Sequence, residues 1–462
     1  MRATVAIFPS GTEIIEPGQE PRDGDIIESN SRVFEALVTE HGGAPHRFPP
    51  IADEYETLKA KVAEAVENYD MVIVNAGSSA GTEDFTVHVL RELGEVLVHG
   101  VAIKPGKPVI LAIVNGKPVI GLPGYPVSAY INFENFVIPV LQKLAGRTET
   151  GGTTVRAVIS KRLVSSLKHK EYVRVKVGEV GDKLVASPLA RGAGAAMSLV
   201  RADGFCVIPQ NSEGVEAGDT VELYRSLEEI GSTAVAIGSH DLILDVMADL
   251  LPCMYPGNYL SSTHVGSMGG LMALKRGEAH LAPTHLLDEE TGEYNIAILK
   301  KLFAGEKMAL VKGVERIQGI IVKKGNPLGI HEIEDLRGLN YVNRQRGAGT
   351  RVLFDYKLKE AGISPEEIHG YDREAATHMA VAAAVSGGDA DAGMGIQSAA
   401  RAMGLDFIEI GREEYDFAIP VRFLDFPPVQ HFLTVLKSRE FAERVEKLGG
   451  YGLARTGEIL YL

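Results

Sequence analysis

A tract of small and polar residues, NAGSSAGTEDF at positions 75–85, directly follows the apolar segment YDMVIV. When such a loop leaves the carboxyl end of a parallel strand, its backbone N–H groups are open and an anion can approach them closely. Open α/β sheets bind their ligands beyond the carboxyl ends of the strands. The tract therefore predicts an anion-binding loop, with a plain tight turn as the alternative.

Three further loops, PSGTEI, IKPGKP and GLPGYP, carry groups with related chemistry. Together with neighbouring segments they supply two lysines and three acids, which are Lys104, Lys107, Glu13, Asp53 and Asp84. Lysines and glycine-rich backbone suit phosphate groups, and carboxylates suit Mg²⁺. Prolines in these loops fix the backbone torsion φ and hold the donors in place before a ligand arrives. A single loop of this kind is more often a solvated turn, but stacked on one sheet edge the loops predict a site for a phosphorylated ligand.

The elements that must position these loops alternate between short apolar strands and amphipathic helices. The segments ATVAIFPSG, MVIVNAGSS and PVIGLPGYP are typical of strands that end in turns. SNSRVFEALVTEHGG is typical of a helix that Asn30 or Ser31 caps, and DEYETLKAKVAEAVENYD has apolar residues at helical spacing. Strands and helices in alternation predict a parallel sheet with right-handed crossovers. We expect a three-layer α/β domain at residues 1–147.

The pattern changes in the middle of the chain. Residues 151–226 offer short alternating strands such as TTVRAVISKRL and EYVRVKVGEV, with little helical periodicity. This favours a small β-rich domain, with a barrel-like arrangement as one form. The polar segment SLEEIGST follows, and AVAIGSH then restarts an α/β pattern that continues to the last residue. We therefore predict a third domain at residues 233–462.

Composition excludes several classes of protein. The formal net charge of −14 argues against a nucleic-acid-binding surface. No apolar run is long enough to span a bilayer, and the first residues lack the basic and apolar segments of a signal peptide. Two cysteines, Cys206 and Cys253, lie in no metal-ligand spacing, and their number fits a reducing compartment. The sequence predicts a cytoplasmic protein with small-molecule partners and with neither nucleic-acid nor membrane contacts.

The motifs SGTE, SN, AGSSAGTEDF, KPGKP and GLPGYP, in this order, make the first domain specific. Residues 1–147 resemble the pterin-binding domain shared by molybdopterin adenylyltransferases and molybdopterin molybdotransferases, the latter including the carboxyl-terminal region of gephyrin. Residues 151–226 resemble the small β domain that follows it in the molybdotransferases only. The resemblance implies insertion of molybdate or tungstate into adenylylated molybdopterin, with release of AMP and with Mg²⁺ as a cofactor.

The resemblance also implies roles for individual residues, matched by motif. The catalytic set is Glu13, Asp53, Asp84, Lys104 and Lys107, with Asp53 and Asp84 as metal ligands. The cofactor-binding set is Gly77, Ser78, Ser79, Gly81, Pro123, Gly124 and Pro126. Tyr125 departs from the family, which usually has asparagine there. Family members also carry a region before VAIFPSG that completes the active cleft across a dimer, so we expect a homodimer or a separate chain that supplies it.

Residues 233–462 resemble the type II periplasmic-binding-protein fold, through VAIGSHDLILDVMADLL, SSTHVGSMGGLMALKRGEAH and NRQRGAGTRVLFDYKL. The subgroup is the one fused to molybdotransferase-like and LysR-type regulator-like proteins. Such folds have two α/β lobes, joined by crossover strands, that close on a ligand. The resemblance implies one lobe at about 233–320, with a return near the terminus, and a second at about 340–420.

Hydroxyl groups stand at the predicted helix starts of this last domain, and helix amino termini bind anions. The guanidinium groups of RQRGAGTR match oxyanions in shape and charge. The candidate ligand-binding residues are Ser239, Ser267, Arg344, Arg346, Thr350 and Arg351. The alternative is that Ser239 and Thr350 only cap helices. Four histidines also invite a metal site, but their spacing matches no zinc pattern; they are His240, His264, His285 and His378.

Two functional hypotheses follow. In the first, the chain is a molybdotransferase-like enzyme or enzyme part whose last domain captures molybdate or tungstate. In the second, it is a non-catalytic sensor that binds ligand in both parts and reports to a partner. The complete acidic and basic set favours the first, because a sensor does not need it. The missing region before VAIFPSG favours the second.

Overall fold

The computed structural model describes residues 2–76, 85–146, 154–189, 191–224, 232–288, 291–346 and 348–462. The chain divides into two compact units. Unit 1 comprises Met1–Ala157, Arg162–Lys176 and Pro188–Leu227, and unit 2 comprises Val158–Lys161, Val177–Ser187 and Glu228–Leu462. The predicted boundaries at 147, 151, 226 and 233 remain predictions.

The first part of unit 1 alternates strands and helices, as the pattern predicts. Its strands are β1 (Thr4–Ser10), β2 (Ile14–Ile15), β3 (Ile26–Ile27), β4 (Ala44–Arg47), β5 (Met71–Ala76), β6 (Glu95–His99), β7 (Ile103–Lys104), β8 (Ile110–Val114) and β9 (Lys117–Pro123). Its helices are α1 (Asn30–Glu40), α2 (Tyr55–Asn68), α3 (Phe85–Leu93), α4 (Pro126–Asn132) and α5 (Ile138–Leu144), with a π-helical turn at Phe133–Val137.

A six-stranded sheet in the order β4-β1-β5-β9-β8-β6 forms the middle layer of this part. Successive residues of β1 point to opposite faces. Val5 packs in one apolar core with Phe34 of α1, and Ala6 packs in the other core with Val62 of α2. Helices therefore cover both faces, and the predicted three-layer α/β architecture is confirmed.

The sheet is mixed rather than wholly parallel. The strands β4, β1, β5 and β9 run parallel, whereas β8 and β6 are antiparallel to their neighbours. The reason is local, because β8 and β9 are joined by Asn115 and Gly116, both at positive φ. Asn-Gly at positive φ matches the twist of a two-residue hairpin.

The β-rich region contains β10 (Thr154–Ile159), β11 (Leu163–Val164), β12 (Lys170–Val180), β13 (Lys183–Pro188), β14 (Gly204–Ile208), β15 (Gly214–Val215) and β16 (Thr220–Tyr224), with the short helix α6 (Met197–Arg201). Within unit 1, β14 pairs antiparallel with β12 and with β16, and β7 pairs parallel with β12. Within unit 2, β10 pairs with β13 at Val158 and Val185. Short strands therefore dominate this region, as predicted.

The main part of unit 2 follows the same alternation. Its strands are β17 (Thr233–Gly238), β18 (Tyr259–His264), β19 (Ala282–Thr284), β20 (Met308–Val322), β21 (Tyr341–Arg344), β22 (Glu374–Ala375), β23 (Ala392–Ile396), β24 (Asp406–Pro420), β25 (Tyr451–Gly452) and β26 (Ile459–Tyr461). Its helices are α7 (Leu242–Met254), α8 (Ser267–Lys275), α9 (Ile296–Leu302), α10 (Gly349–Glu360), α11 (His378–Gly387), α12 (Gln397–Ala402), α13 (Pro427–Leu436) and α14 (Arg439–Leu448).

Two long strands, β20 and β24, join two lobes within this unit. They pair antiparallel along their length, with register shifts between Val311 and Val314 and between Gln318 and Gly319. At one end they pair with β19 and β26, and at the other β20 pairs with β23. Separate apolar cores surround the two ends, and the second core already includes Ile320. The predicted crossover strands are confirmed, and the second lobe begins within β20 rather than near residue 340.

Candidate functional site

Three neighbouring parallel strands of unit 1 end side by side. Ser10 at the end of β1 is in register with Ala76 of β5, and Ala76 is in register with Pro123 of β9. The loops that follow these strands carry Glu13, the small-residue tract and the GLPGYP turn. The predicted loops therefore leave one common edge. The tract residues Gly77, Ser78, Ser79, Gly81 and Asp84 lie outside the described residues.

Asp53 lies at the same edge. The Ser10 hydroxyl donates a hydrogen bond of 2.9 Å to Asp53 Oδ1, and the Asp53 backbone N–H donates to Thr12 Oγ1 at 3.3 Å. A β-bridge between Ser10 and Ile51 brings this segment to the end of β1. Asp53 is exposed, so its carboxylate is oriented by the strand end and still open to a ligand.

Two asparagines hold the GLPGYP turn against this edge. Asn30 Nδ2 donates to Asn75 Oδ1 at 3.1 Å and to the Gly124 carbonyl at 2.7 Å, and buried Asn75 donates to the Pro123 carbonyl at 2.9 Å. The prediction that Asn30 or Ser31 caps α1 is wrong, because Ser29 is the N-cap residue and the Glu28 carboxylate accepts from the Ser31 backbone N–H at 2.7 Å. The Asn30 amide contacts the turn instead, and the SN motif was the signal for this role.

The lysine loop is fixed by neighbouring parts of unit 1. Asn132 of α4 donates to the Gly106 carbonyl at 2.8 Å. Lys107 is exposed, and Lys104 Nζ lies 3.7 Å from Glu171 Oε1 on β12. Glu171 is buried, accepts a hydrogen bond from Ser165 at 2.7 Å and lies 3.5 Å from Arg191. Glu171 is not predictable from the sequence, because nothing near it in the chain shows that its partner is Lys104.

The edge therefore combines backbone turns and an oriented carboxylate, and the lysine loop leads into β8, whose Ile110 is in register with Gly121 of β9. Cations of this kind neutralise phosphate, and carboxylates bind Mg²⁺ together with substrate phosphates. Among the described residues, no group of three or more His, Cys, Asp or Glu side chains is arranged to hold a metal ion. Within the same residues, no helix combines the length and the apolar character needed to cross a membrane.

Unit 2 contains a second arrangement, a group of charged and imidazole side chains where the crossover strands pass between the lobes. We call it the cleft cluster, and it consists of Asp241, His285, Arg316, Arg344, His378 and Glu413. Fully buried Arg316 on β20 contacts Asp241 at 2.9 Å and Glu413 on β24, and its guanidinium lies 4.6 Å from the Tyr415 ring centre. Burial acts to raise the pKa of Glu413, but Arg316 and His285 hold it below its ordinary value.

His285 connects the predicted serines to this cluster. Ser239 Oγ lies 2.7 Å from His285 Nε2, Ser267 Oγ accepts from the His285 backbone N–H at 3.2 Å, and His285 Nδ1 lies 3.3 Å from Glu413. Ser267 begins α8 as predicted. Ser239 does not stand at a helix start as predicted, and the alternative that it caps a helix is also wrong, because α7 begins at Leu242 and Asp241 caps it. Ser239 thus contacts the imidazole of His285, and Ser267 contacts its backbone.

The three predicted arginines have different surroundings. Arg346 is 80% exposed and lies 3.6 Å from both Asp372 and Glu374. Arg351 is buried, lies 4.0 Å from the Tyr371 ring centre and pairs with Asp355 at 3.4 Å. Only Arg344 belongs to the cleft cluster. The sequence does not distinguish the three arginines, because charge density in a loop does not show which side chains are buried.

Arg344, the last residue of β21, is buried, with 8% of its surface exposed. Its Nη1 donates to the Ala375 carbonyl at 2.9 Å, while its Nε has no hydrogen-bond partner among the described residues. Burial and the nearby Arg316 lower the pKa of Arg344 to about 10. Thr350 is buried in the first turn of α10, and its predicted alternative as a cap is wrong, because Ala348 precedes the helix without a side-chain cap.

His378 is the first residue of α11. Thr377 caps this helix by accepting a hydrogen bond of 3.0 Å from the Ala380 backbone N–H. His378 Nδ1 is buried and has no hydrogen-bond partner in the described part of the chain. Burial, Arg344 and Arg316 together lower the pKa of His378 well below its ordinary value. The helix start was visible in the sequence as Thr-His before an apolar run.

Three family models match this chain. The "Probable molybdopterin binding domain" matches residues 6–143, the "MoeA C-terminal region (domain IV)" matches residues 156–225, and the "PBP superfamily domain" matches residues 249–437. These matches confirm the predicted resemblance of the three parts of the chain.

Two curated relatives and one solved structure illustrate the similarity. YvgK, an uncharacterized protein of Bacillus subtilis (strain 168), is 31% identical over 251 residues, which cover 54% of this chain and 80% of YvgK. The molybdopterin molybdenumtransferase of that strain is 31% identical over 233 residues, 50% of this chain and 54% of that protein. The structure of the molybdopterin biosynthesis MoeA protein from Pyrococcus horikosii has 37% identity and a TM-score of 0.43, covering 48% of this chain and 54% of that one. This chain spans about half the length of the molybdopterin relatives it matches.

Proposed function

We propose a role in molybdenum cofactor biosynthesis for this chain, which belongs to the family of Bacillus subtilis YvgK and carries the molybdopterin-binding and MoeA C-terminal domains. In this role the chain inserts molybdate or tungstate into adenylylated molybdopterin and releases AMP. The PBP superfamily domain binds an oxyanion. The name of the molybdopterin molybdenumtransferase relative supports the first part of the proposal.

One observation carries the proposal most directly. Ser10, Ala76 and Pro123 end three neighbouring parallel strands in register, and the Ser10 hydroxyl holds Asp53 at that edge. In this proposal a ligand at the edge meets the oriented carboxylate and the rigid turns, and the lysine loop supplies cations from the segment before β8, the strand that pairs with β9. Reactions of phosphoanhydrides depend mainly on positioning and charge neutralisation, which these groups supply.

The residues at this edge have different roles in the proposed reaction. Lys104 and Lys107 neutralise negative charge on the phosphate groups or on the incoming oxyanion. Glu171 holds Lys104 near the loop, since the two side chains lie 3.7 Å apart. Asp53 fits Mg²⁺, because this ion takes one or two carboxylates together with substrate phosphates. Asp53 and Asp84 would hold the ion, which would supply charge neutralisation at the phosphoanhydride.

The oxyanion role of unit 2 is supported by the cleft cluster. Arg344 is buried with an unpartnered Nε among the described residues, and α8 and α10 begin without side-chain caps. A buried guanidinium without an anionic partner is costly, and a bound anion removes that cost. Of the predicted residues, Arg344 is the main ligand in this proposal, while Ser239 and Ser267 act through His285.

The deciding experiment supplies the intact chain with adenylylated molybdopterin, molybdate and Mg²⁺ and measures AMP over time. Release of AMP that depends on both molybdate and the chain is the expected result. Binding of the pterin without AMP release would contradict the enzymatic proposal and favour the sensor. AMP release that continues after Mg²⁺ is chelated would show that the metal is not required. The other proposed roles would be unaffected.

A further inference from the structure

The cleft cluster is close to electrically neutral when its two histidines are uncharged. The guanidinium charges of Arg316 and Arg344 are matched in number by the carboxylates of Asp241 and Glu413. Both carboxylates, however, form ion pairs with Arg316, Asp241 at 2.9 Å and Glu413 in direct contact. Among the described residues, the guanidinium group of Arg344 donates only to a backbone carbonyl. The positive charge available to a ligand is therefore at Arg344.

A dianion such as molybdate brings more negative charge than Arg344 balances. Charge left unbalanced in a buried site is expensive, and in practice a nearby titratable group changes its protonation instead. His378 is the group placed to do so, because its Nδ1 is buried without a partner in the described residues. The Arg344 guanidinium bonds the Ala375 carbonyl, three residues before His378 in the chain. The His378 imidazole gains a donor and a positive charge when it takes up a proton.

We propose that the cleft of unit 2 binds a dianionic tetrahedral oxyanion between Arg344 and His378, and that His378 takes up one proton from solvent as the anion binds. The inference rests on the proposed oxyanion role of this unit and specifies the ligand charge and a residue that role did not include. No covalent bond is made or broken. The imidazole becomes imidazolium, and solvent or buffer supplies the proton.

The direction of the pH dependence follows from the groups that face His378. Arg344 on β21 and Arg316 on β20 disfavour its charged form, as does His285, whereas Glu413 on β24 favours it. With the cleft free of anion, burial and the arginines keep the pKa of His378 well below its ordinary value. A bound dianion raises that pKa. Between the two pKa values a proton is taken up, so affinity rises as pH falls, by about tenfold per pH unit for one proton.

Calorimetry on the intact chain tests the proposal. Sodium molybdate is titrated near neutral pH in two non-phosphate buffers of different ionisation enthalpy, and the heat that Arg344→Gln removes is assigned to the cleft. We expect the cleft enthalpy to differ between the buffers by the amount for about one proton taken up. Affinity should weaken as pH is raised.

Two variants separate His378 from its surroundings. His378→Gln should retain weaker molybdate binding and lose the buffer dependence of the enthalpy. His369→Gln is the matched control, because His369 is exposed on the same lobe, and it should behave as wild type. Melting temperatures of the three proteins establish that each is folded.

The possible results distinguish the inference from the proposed function. Molybdate binding with equal enthalpy in both buffers, or buffer dependence that survives in His378→Gln, would overturn the proton-linked inference and leave the oxyanion role intact. No Arg344-dependent heat with molybdate, tungstate or sulfate would overturn both. Arg344-dependent heat with acetate but not with these dianions would replace the ligand class with a carboxylate and overturn the inference.

Discussion

Gly349, the first residue of α10, packs directly against the imidazole of His285. A Cβ atom at position 349 would lie 2.1 Å from His285 Nδ1 and 2.3 Å from Cε1, closer than real atoms approach. His285 belongs to the first lobe and α10 to the second, so this contact is one of those between the lobes of unit 2. Glycine is required there for lack of space and not for its backbone torsion.

Gly349→Ala should therefore displace α10 or His285. Overpacking of this kind typically costs about 1–3 kcal/mol, and we expect a lower free energy of unfolding together with weaker molybdate binding. Gly387→Ala is the control, because a Cβ there meets nothing closer than 3.9 Å and helical alanine is favoured by up to about 1 kcal/mol. Urea unfolding followed by circular dichroism checks both variants, and equal effects would contradict the contact.

Glu413→Gln should destabilise unit 2 strongly. Arg316 would keep Asp241 as its remaining carboxylate partner, and breaking a buried ion pair typically costs about 3–5 kcal/mol. Glu409→Gln on the same strand is the control, because its pair with Arg412 is exposed and such pairs contribute at most about 1 kcal/mol. Similar urea midpoints for the two variants would show that the buried pair is unimportant.

Glu413 should also make the free energy of unfolding depend on pH. The pKa of Glu413 is lower in the folded chain than its ordinary value, so its ionisation stabilises the fold at pH above the unfolded pKa of about 4.3. This stabilisation is lost as pH falls from there through the folded pKa. Glu413→Gln should therefore flatten the decline of unfolding free energy below about pH 4.3. A wild-type and a variant curve that stay parallel in acid would contradict the assignment.

Asn75→Ala should loosen the turn at the sheet edge of unit 1. It removes the donor to the Pro123 carbonyl and the acceptor of Asn30, and leaving buried polar groups unpaired costs about 1–3 kcal/mol. We expect lower stability and weaker binding of adenylylated molybdopterin. Asn68→Ala is the control, because exposed Asn68 donates its side-chain amide to the Glu64 carbonyl of its own helix. Unchanged pterin binding in Asn75→Ala would show that this turn does not contribute to ligand binding.

The loops at the unit 1 edge were predictable because each is a local feature, an apolar run that ends in Gly, Pro or a hydroxyl residue. The antiparallel β8–β9 hairpin also has a local signal, Asn115-Gly116. The alternation of strands and helices nevertheless predicted a parallel sheet. The predicted cap of α1 was wrong, because Asn30 has a tertiary partner, the Gly124 carbonyl, that no local pattern reveals.

The cleft cluster was predictable only in part. Arg344 was identified from the density of arginine after β21, but Arg346 two positions later is exposed. The pairing of Arg316 with Glu413 depends on the antiparallel register of β20 and β24. These strands are distant in the chain, and a pairing between them leaves no trace in either segment alone.

Substitution of Asp53 shows whether the sheet edge of unit 1 performs the chemistry. AMP release from adenylylated molybdopterin, with molybdate present, is compared for wild type, Asp53→Asn and Glu40→Gln. Asparagine keeps the shape of Asp53 and its bond from Ser10, whereas Glu40 is an exposed acid at the far end of α1. The account predicts at least about a hundredfold slower release for Asp53→Asn with an unchanged melting temperature, and wild-type release for Glu40→Gln. Wild-type release by a folded Asp53→Asn would contradict it.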